Sequence, residues 1–204
     1  VYSLTSEVFK SILEPNLREY FMKKFQLEDT SVELKDLEAV QELGKGNFGF
    51  VYLVRNKKNK NYMYAIKAMS LKQIKKEKLE PCVELEKNVL LKIDHPFIMK
   101  MIKYMKNDKY IFFLNEYIHG KEMWEVIRDI GLLSKEQTQF YIGSILLAIE
   151  YLHNKKIIYR DIKPENVMVN DDGYIKVIDF GTVKEIKERT NTIFTIILFM
   201  MLKD

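Results

Sequence analysis

The sequence IIYRDIKPEN at residues 157–166, followed by DFG at 179–181, decides the fold and points to the chemistry of this chain. Asp161 can accept a proton from a hydroxyl group, and it stands five residues before Asn166. Asn166 and Asp179 both carry side-chain oxygens of the kind that bind magnesium. The two stretches together therefore predict a site for phosphoryl transfer, with one carboxylate acting on the acceptor and two residues holding the metal.

A glycine cluster, GKGNFGFV at residues 44–51, lies well before these stretches and matches the pattern G-x-G-x-x-G-x-V. A dinucleotide-binding turn shares the first six positions, but such a turn leads into a helix. Here residues 50–54 continue as an apolar strand. The pattern therefore predicts a strand–loop–strand flap, in which the backbone at Gly44, Gly46 and Gly49 approaches a triphosphate.

Lys67 lies among apolar neighbours in the next predicted strand, as the last residue of the segment YAIK at 64–67. A lysine in such a place needs an anionic partner, which phosphate oxygens and a helix carboxylate would supply. We assign that carboxylate to Glu86 rather than to Glu84, which points to a different helix face. The alternative is a solvated lysine at a strand edge. Lys163, in the 157–166 stretch, would neutralise charge on the transferring phosphoryl group.

Apolar periodicity divides the chain into a strand-rich first part and a helical second part. Pro15 and Pro81 predict breaks within two of the helical segments. Ser134 with Gln137 three residues later fits a capping box at the start of a long helix. The predicted helices are 1–28, 71–93, 123–130 and 134–154, and the predicted strands lie near 37–54, 62–69, 98–104, 110–117, 167–169 and 175–178.

Composition excludes several classes of protein. The net charge of +4, from 33 basic and 29 acidic residues, is too small to indicate a nucleic-acid partner. A single cysteine, Cys82, excludes an internal disulfide and suits a reducing compartment. We find no signal peptide, and the apolar run at 193–202 is shorter than the ~20 residues of a membrane span. We therefore expect a cytoplasmic protein without a membrane span.

Taken together, the motifs make residues 37–192 resemble the eukaryotic Ser/Thr protein kinases. Lys163 within DIKPEN favours Ser/Thr over tyrosine kinases, and Tyr159 in place of the usual histidine is typical of the AGC group. The segments WEVIRDIGLLSK at 124–135 and AIEYLH at 148–153 are most similar to the cGMP-dependent protein kinases of the protozoan type.

This resemblance implies an α+β, protein-kinase-like two-lobed fold with a complete small lobe and a truncated, mainly helical large lobe. The truncation is expected because no glycine follows Gly181 and no proline follows Pro164. The Gly-Thr-Pro and Ala-Pro-Glu stretches of the family are thus missing. The implied parts are a helical segment at 1–28 resembling the end of a cyclic-nucleotide-binding domain, a linker at 29–36, the small lobe and hinge at 37–118, a partial large lobe at 119–192, and a non-kinase apolar tail at 193–204.

The resemblance also implies cofactors, partners and site residues. ATP and Mg²⁺ are the implied cofactors, and proteins with basic residues near the phosphorylated Ser or Thr are the implied substrates. Control by cGMP would act only through upstream domains absent here. The implied catalytic residues are Asp161, Lys163, Lys67 and Glu86; the implied ATP-binding residues are Gly44, Gly46, Gly49, Val51, Ala65, Lys67, Glu116, Ile118, Glu122 and Met168; the implied metal ligands are Asn166 and Asp179.

The resemblance also implies what each of these residues would contact. Val51, Ala65 and Met168 would sandwich the adenine ring. Residues 116–118 would form the hinge, whose backbone would read the edge of that ring. Asn115 falls at the gatekeeper position. Two further sets are implied: Glu122 and Glu165 as acidic contacts for the substrate, and Phe180, Tyr159, Leu90 and Met101 as an apolar stack between the lobes.

Three functions remain open at this point. The first is a fragment of a cGMP-dependent-type kinase, which we expect to lack activity. The second is a truncated pseudokinase that binds nucleotide or a partner, and the third is a non-kinase nucleotide-binding protein. Loss of later helices should also leave one face of the 134–154 helix exposed. We therefore expect the chain to be poorly soluble or to associate with a chaperone or partner. The residues on this face are Phe140, Ile145, Leu146, Ile149 and Leu152.

Overall fold

The structure is a computed structural model that describes residues 15–46 and 49–186. Its helices are α1 (Pro15–Glu28), α2 (Leu71–Glu77), α3 (Glu80–Leu90), α4 (Met123–Ile130) and α5 (Lys135–Asn154), with short 3-10 helices at Leu34–Asp36 and Pro164–Asn166. Its strands are β1 (Leu37–Gly46), β2 (Gly49–Asn56), β3 (Met63–Ser70), β4 (Met101–Lys106), β5 (Tyr110–Glu116), β6 (Gly120–Glu122), β7 (Ile157–Ile158), β8 (Val167–Asn170), β9 (Ile175–Val177) and β10 (Lys184–Glu185). The predicted helix at 1–14 and the predicted tail at 193–204 lie outside the described residues.

The first part of the chain forms one antiparallel sheet of five strands in the order β1-β2-β3-β5-β4. Alternate residues of a strand face opposite sides, so the sheet has two packed faces. Met69 and Phe113 face the main core, whereas Tyr64 and Leu114 face a smaller cluster on the other side. The sheet followed by helices confirms the predicted α+β class.

The smaller cluster is closed by residues from the segment that precedes the sheet. Val32 is buried within it, and the Lys103 side chain donates a hydrogen bond of 3.0 Å to the Val32 carbonyl oxygen. Gln26 of α1 is also buried, and its Nε2 donates to the carbonyl oxygen of Met63 at 2.9 Å. The residues between α1 and the sheet are thus packed onto the strands.

The segment predicted as one helix over 71–93 consists of two helices, α2 and α3. The first ends at Lys78, which has a φ of 56° and so adopts the left-handed conformation that often ends a helix. Pro81 lies in the first turn of α3, where its missing N–H group leaves no helical bond unmade. The proline therefore starts the second helix instead of kinking a single long one.

The predicted strand at 98–104 is wrong at its beginning. Strand β4 starts at Met101, because the residues before it pair with the second part of the chain. Ile98 forms a parallel bridge with Val177, and the Met99 amide donates to the Val177 carbonyl oxygen at 3.0 Å. These bonds attach the start of β4 to strand β9.

The second part contains helices α4 and α5 and two small sheets, with strand orders β6-β8-β9 and β10-β7. The predicted capping box of α5 is confirmed: the Gln137 amide donates to Ser134 Oγ at 3.2 Å, and the Ser134 amide donates to Gln137 Oε1 at 2.9 Å. Strands β6, β7 and β10, of two or three residues each, were not predicted. Unlike the equally short β9, which is the apolar-flanked segment IKV, β6 (GKE) and β10 (KE) carry no apolar residue, and β7 (II) was interpreted as part of a loop. None of the described helices is both long and apolar enough to cross a bilayer.

The expected exposed face of α5 is wrong for three of its five residues. Leu152 is fully buried, and Ile145 and Ile149 pack against the main core. They share one helix face with the buried Ala148, because residues three and four apart lie side by side. Phe140 is exposed as predicted, and Ile142 and Leu147 are the other exposed large apolar residues of α5.

Candidate active site

Lys67 of strand β3 is paired with Glu86 of helix α3. Its Nζ donates to Glu86 Oε1 at 2.7 Å, and the two side chains are only 15% and 4% exposed. A second carboxylate, Asp179, places its Oδ1 3.5 Å from the same Nζ. Burial by itself would lower the pKa of Lys67, but the two carboxylates outweigh it and raise that pKa. Lys67 is therefore a fixed positive charge held between helix α3 and the loop that carries Asp179.

Glu84, the other acidic residue considered for this pairing, is turned away from Lys67. It stays 59% exposed and binds Lys87 and Asn88 on its own helix. Two residues along a helix correspond to a rotation of about 200°, so Glu84 and Glu86 lie on nearly opposite faces. Helical geometry thus explains why only one of them reaches the strand.

The 157–166 stretch brings Asp161, Lys163 and Asn166 into direct contact. Asp161 Oδ2 accepts hydrogen bonds of 2.9 Å from Lys163 Nζ and of 2.9 Å from Asn166 Nδ2. Asn166 Nδ2 also donates to the Asp161 carbonyl oxygen at 2.9 Å, and Asn166 is buried. The hydrogen bond from Lys163, followed by that from Asn166, lowers the pKa of Asp161 despite partial burial. Asp161 is thus ionised at neutral pH, in the form that can accept a proton.

Contacts of the backbone on either side of Asp179 fix the position of its carboxylate. It has a φ of 57°, and its Oδ1 accepts a hydrogen bond of 3.2 Å from the Gly181 amide. The Tyr159 hydroxyl donates to the carbonyl oxygen of Ile178, directly before Asp179. The Tyr159 ring meets Phe180 edge-on at 5.3 Å, and both rings are buried. Burial raises the pKa of Tyr159 well above its usual range, so this hydroxyl keeps its proton.

The hydrogen bond made by Tyr159 was not anticipated from the sequence, which identified this residue as a substitution for histidine and as a member of an apolar stack. The four residues expected to stack between the lobes do share one buried cluster. Tyr159, Phe180, Leu90 and Met101 all belong to it, and none is more than 6% exposed. The cluster therefore connects helix α3 and strand β4 with the loop that carries Asp179.

Strands β2 and β3 share the sheet face that carries Lys67. Their register pairs Val51 with Lys67 and Leu53 with Ala65, so these four side chains lie on one face of the sheet. Asn115 pairs with Ala65 on the next strand and shares that face. Val51 and Ala65 are both half-buried, as is Met168 on strand β8. These three apolar side chains are thus partly open to a ligand, and their contact with adenine remains a prediction.

The glycine flap is described except for its tip, because Asn47 and Phe48 lie outside the described residues. Gly46 pairs with Gly49 at the end of the β1–β2 hairpin. A Cβ atom on Gly49 would lie 1.9 Å from the Ala68 carbonyl oxygen, so only glycine allows β2 to approach β3 at this point. Gly44 has open space around it, and the structure shows no steric need for glycine there.

Glu116, at the end of β5, makes bonds that were not predicted. It was assigned to the hinge for its backbone, but its side chain is buried and ionically paired. Its Oε1 accepts hydrogen bonds of 2.7 Å from the Lys100 amide and of 2.7 Å from Lys176 Nζ. Lys176 lies in the apolar strand β9, and the reasoning that singled out Lys67 would have identified it too.

Of the remaining predicted residues, Ile118 is half-buried just after β5. Glu122 is the N-cap of α4, forms a capping box with Glu125, and accepts a hydrogen bond from Trp124 Nε1. Glu165 is exposed beside the Asp161 loop. Asn115 is buried, and its Oδ1 has no hydrogen-bond partner. The nucleotide and substrate contacts of these residues remain predictions.

Asn166 and Asp179 suit magnesium in the chemistry of their donor atoms. Because Asn166 Nδ2 is bonded to Asp161, its Oδ1 remains for a cation, and Asp179 supplies carboxylate oxygens. Within residues 15–46 and 49–186, no three His, Cys, Asp or Glu residues form a metal-binding group. Magnesium is commonly held by one or two protein side chains together with phosphate oxygens and water, which fits this pair.

Comparison with known proteins identifies relatives over most of the chain. The protein kinase domain profile matches residues 37–200. A cGMP-dependent protein kinase of Plasmodium berghei is 41% identical over 91% of this chain, and one of Toxoplasma gondii is 36% identical over 95% of it. The human cAMP-dependent protein kinase catalytic subunit PRKX is 39% identical over 78% of the chain and 44% of its own length. The matches cover only 22% and 19% of the Plasmodium and Toxoplasma proteins, so the chain spans about a fifth of their length.

Proposed function

Because this chain belongs to the protein kinase family, we propose that it is part of a Ser/Thr protein kinase of the cGMP-dependent type. The observation that supports this most directly is the position of Lys67, whose Nζ is held by Glu86 from α3 and faces Asp179 from the second part of the chain. A lysine at this point can bind phosphate oxygens, and the two carboxylates fix it there before any ligand arrives.

In the proposed reaction, the oxygen of a Ser or Thr hydroxyl attacks the γ-phosphorus of ATP and ADP leaves. Asp161 accepts the hydroxyl proton, and Lys163 balances negative charge beside it. Lys67 holds the phosphate oxygens, while the backbone of residues 116–118 reads the adenine edge. Asn166 and Asp179 would hold magnesium, which supplies charge neutralisation to the phosphates.

The proposal extends to the surroundings of the site. Glu165 and Glu122 would favour protein substrates with basic residues near the phosphorylated hydroxyl, through attraction of opposite charges. Regulation by cGMP would come from upstream domains outside these 204 residues, and we expect the protein to act in the cytoplasm without a nucleic-acid partner. The alternative is a truncated pseudokinase that binds nucleotide or a partner. Binding alone would not need Asp161, Asn166 and Asp179 together, and this favours the kinase.

Magnesium-dependent ATP binding by the 204-residue chain tests the proposal. We expect Asp179→Ala to lower the affinity measured by calorimetry with Mg²⁺ by about 10- to 100-fold, because a charged contact contributes about 1.5–3 kcal/mol. Asp161→Ala is the matched control. Its magnesium-dependent ATP affinity should stay within about twofold of wild type, or ~0.4 kcal/mol, because Asp161 acts on the acceptor and not on the nucleotide. Equal magnesium-dependent affinity of Asp179→Ala and wild type would refute the assignment.

Peptide phosphorylation tests the second part of the proposal. We expect the 204 residues alone to turn over a basic Ser/Thr peptide no faster than their Asp161→Ala variant. Phosphoryl transfer depends on positioning, and the Gly-Thr-Pro and Ala-Pro-Glu stretches of related kinases are not in this sequence. Kinase sequence joined after Thr192 should restore Asp161-dependent turnover. Robust turnover by the 204 residues alone would show that those stretches are dispensable.

A further inference from the structure

A buried ion pair joins the two parts of the chain behind the proposed adenine site. Lys176 Nζ of strand β9 lies 2.7 Å from Glu116 Oε1 at the end of β5, and the side chains are 22% and 5% exposed. The partners are 60 residues apart in sequence. The same Nζ lies 3.4 Å from the Ile98 carbonyl oxygen, so it also reaches the segment before β4.

Glu116 in turn fixes the backbone next to it. Its carboxylate accepts the Lys100 amide at 2.7 Å, and its own amide donates to the Lys100 carbonyl oxygen at 2.9 Å. The preceding residues are bonded to β9, because the Val177 amide donates to the Phe97 carbonyl oxygen at 2.8 Å. One carboxylate therefore connects the hinge, the approach to β4 and strand β9.

Strand β9 also leads directly to Asp179, which faces Lys67. A single strand thus holds the hinge at the adenine end of the proposed site and supplies a residue at its phosphate end. We propose that Lys176 is a positioning residue, which holds Glu116 so that residues 116–118 keep the arrangement that adenine recognition requires. This inference depends on the proposed function only for the identity of the ligand.

The energetic reason lies in the burial of Glu116. A buried carboxylate is stable only when its charge is paired and hydrogen-bonded. Without the Lys176 ammonium group, the Lys100 amide would be the single donor to this side chain among the hydrogen bonds described. The side chain would then either turn toward water, so that the Lys100 amide loses its acceptor, or take up a proton, so that this amide keeps only a weaker, uncharged acceptor. In either case the hinge would lose the side-chain attachment to β9 that Lys176 provides.

Nucleotide binding distinguishes this role from that of Asp179. We expect Lys176→Met to lower the affinity for adenosine and for Mg²⁺-ATP by the same factor, about tenfold or more, because a hydrogen bond to a charged group is lost. Asp179→Ala should weaken only Mg²⁺-ATP, because adenosine has no phosphates. Lys176→Arg, which keeps the charge and its donors, should restore most of the affinity.

Lys103→Met is the matched control. Lys103 is also half-buried, and its Nζ donates to the carbonyl oxygen of Val32 before β1. This hydrogen bond does not involve β9. The adenosine affinity of the Lys103→Met variant should equal that of wild type. If Lys176→Met bound adenosine as tightly as wild type, or if Lys103→Met weakened it equally, the positioning role would be refuted.

Amide hydrogen exchange tests the structural part without any ligand. In Lys176→Met, exchange should become faster in peptides covering 97–104 and 112–118, while α5 keeps its protection. An equal loss of protection in α5 would mean general destabilisation and would overturn the proposal. Should Lys176→Met fail to fold, Lys176→Gln, which keeps a donor without the charge, takes its place. If wild type bound neither adenosine nor ATP, the proposed function would fail, whereas the exchange result would still decide on Lys176.

Discussion

Replacing Glu86 by alanine is expected to lower the free energy of unfolding by about 3–5 kcal/mol, because removal of one partner leaves a buried charge unpaired. The charge is that of Lys67, whose side chain is only 15% exposed, and Asp179 at 3.5 Å compensates it only in part. Urea denaturation followed by circular dichroism measures the change. It would be a large fraction of the roughly 5–15 kcal/mol that stabilises a typical domain.

Glu84→Ala is the matched control for Glu86→Ala, since it removes the same side chain two residues away on the same helix. Glu84 is 59% exposed and paired only with groups on α3, so its loss should change the free energy of unfolding by about 1 kcal/mol at most. The double variant Lys67→Met with Glu86→Leu should recover most of the stability, because no charge of the pair remains buried. Equal losses in Glu84→Ala and Glu86→Ala would contradict this account.

Phe180→Ala is expected to destabilise the protein by about 3–5 kcal/mol, the range for removing a fully buried phenylalanine and leaving a cavity. Phe180 is 0% exposed, lies edge-on to Tyr159, and belongs to the cluster that also contains Leu90 and Met101. The same denaturation measurement applies. Because the cluster connects α3 with the Asp179 loop, magnesium-dependent ATP affinity should fall as well.

Phe140→Ala provides the comparison for Phe180→Ala. Phe140 lies on α5 with 45% of its surface exposed, and substitutions at such sites usually change stability by less than about 1 kcal/mol. A loss for Phe180→Ala no larger than that for Phe140→Ala would show that the cluster is not tightly packed. A measured difference of several kcal/mol would support the distinction between the buried stack and the exposed face of α5.

Local features of this protein could be predicted because neighbouring residues determine them. Short apolar runs predicted strands at 62–69 and 110–117, and the structure has β3 and β5 there. Ser134 and Gln137, three residues apart, form the capping box that their spacing predicted. The pairing of Lys67 with Glu86 rather than Glu84 was also accessible, because a helix places residues two apart on nearly opposite faces.

The limits of the elements were less accessible, since tertiary contacts compete with local preference. The apolar residues Ile98 and Met99 continue the pattern of β4, but the backbone at 97–99 bonds with β9 instead. Ile145, Ile149 and Leu152 could have faced solvent or the core, and only the position of α5 against the main core decided between them. A periodic pattern identifies an apolar face without identifying what covers it.

The sequence by itself determined which kind of site we propose for this protein, because phosphoryl transfer requires particular groups at particular spacings, and Asp161, Asn166 and Asp179 match them along a short stretch of chain. Only the tertiary structure decided how that site is supported. The Tyr159 hydroxyl reaches the Ile178 carbonyl oxygen, and Lys176 reaches Glu116 across 60 residues of sequence. Such contacts depend on strand register and on the packing of the two parts against each other, and no local spacing of residues encodes either one.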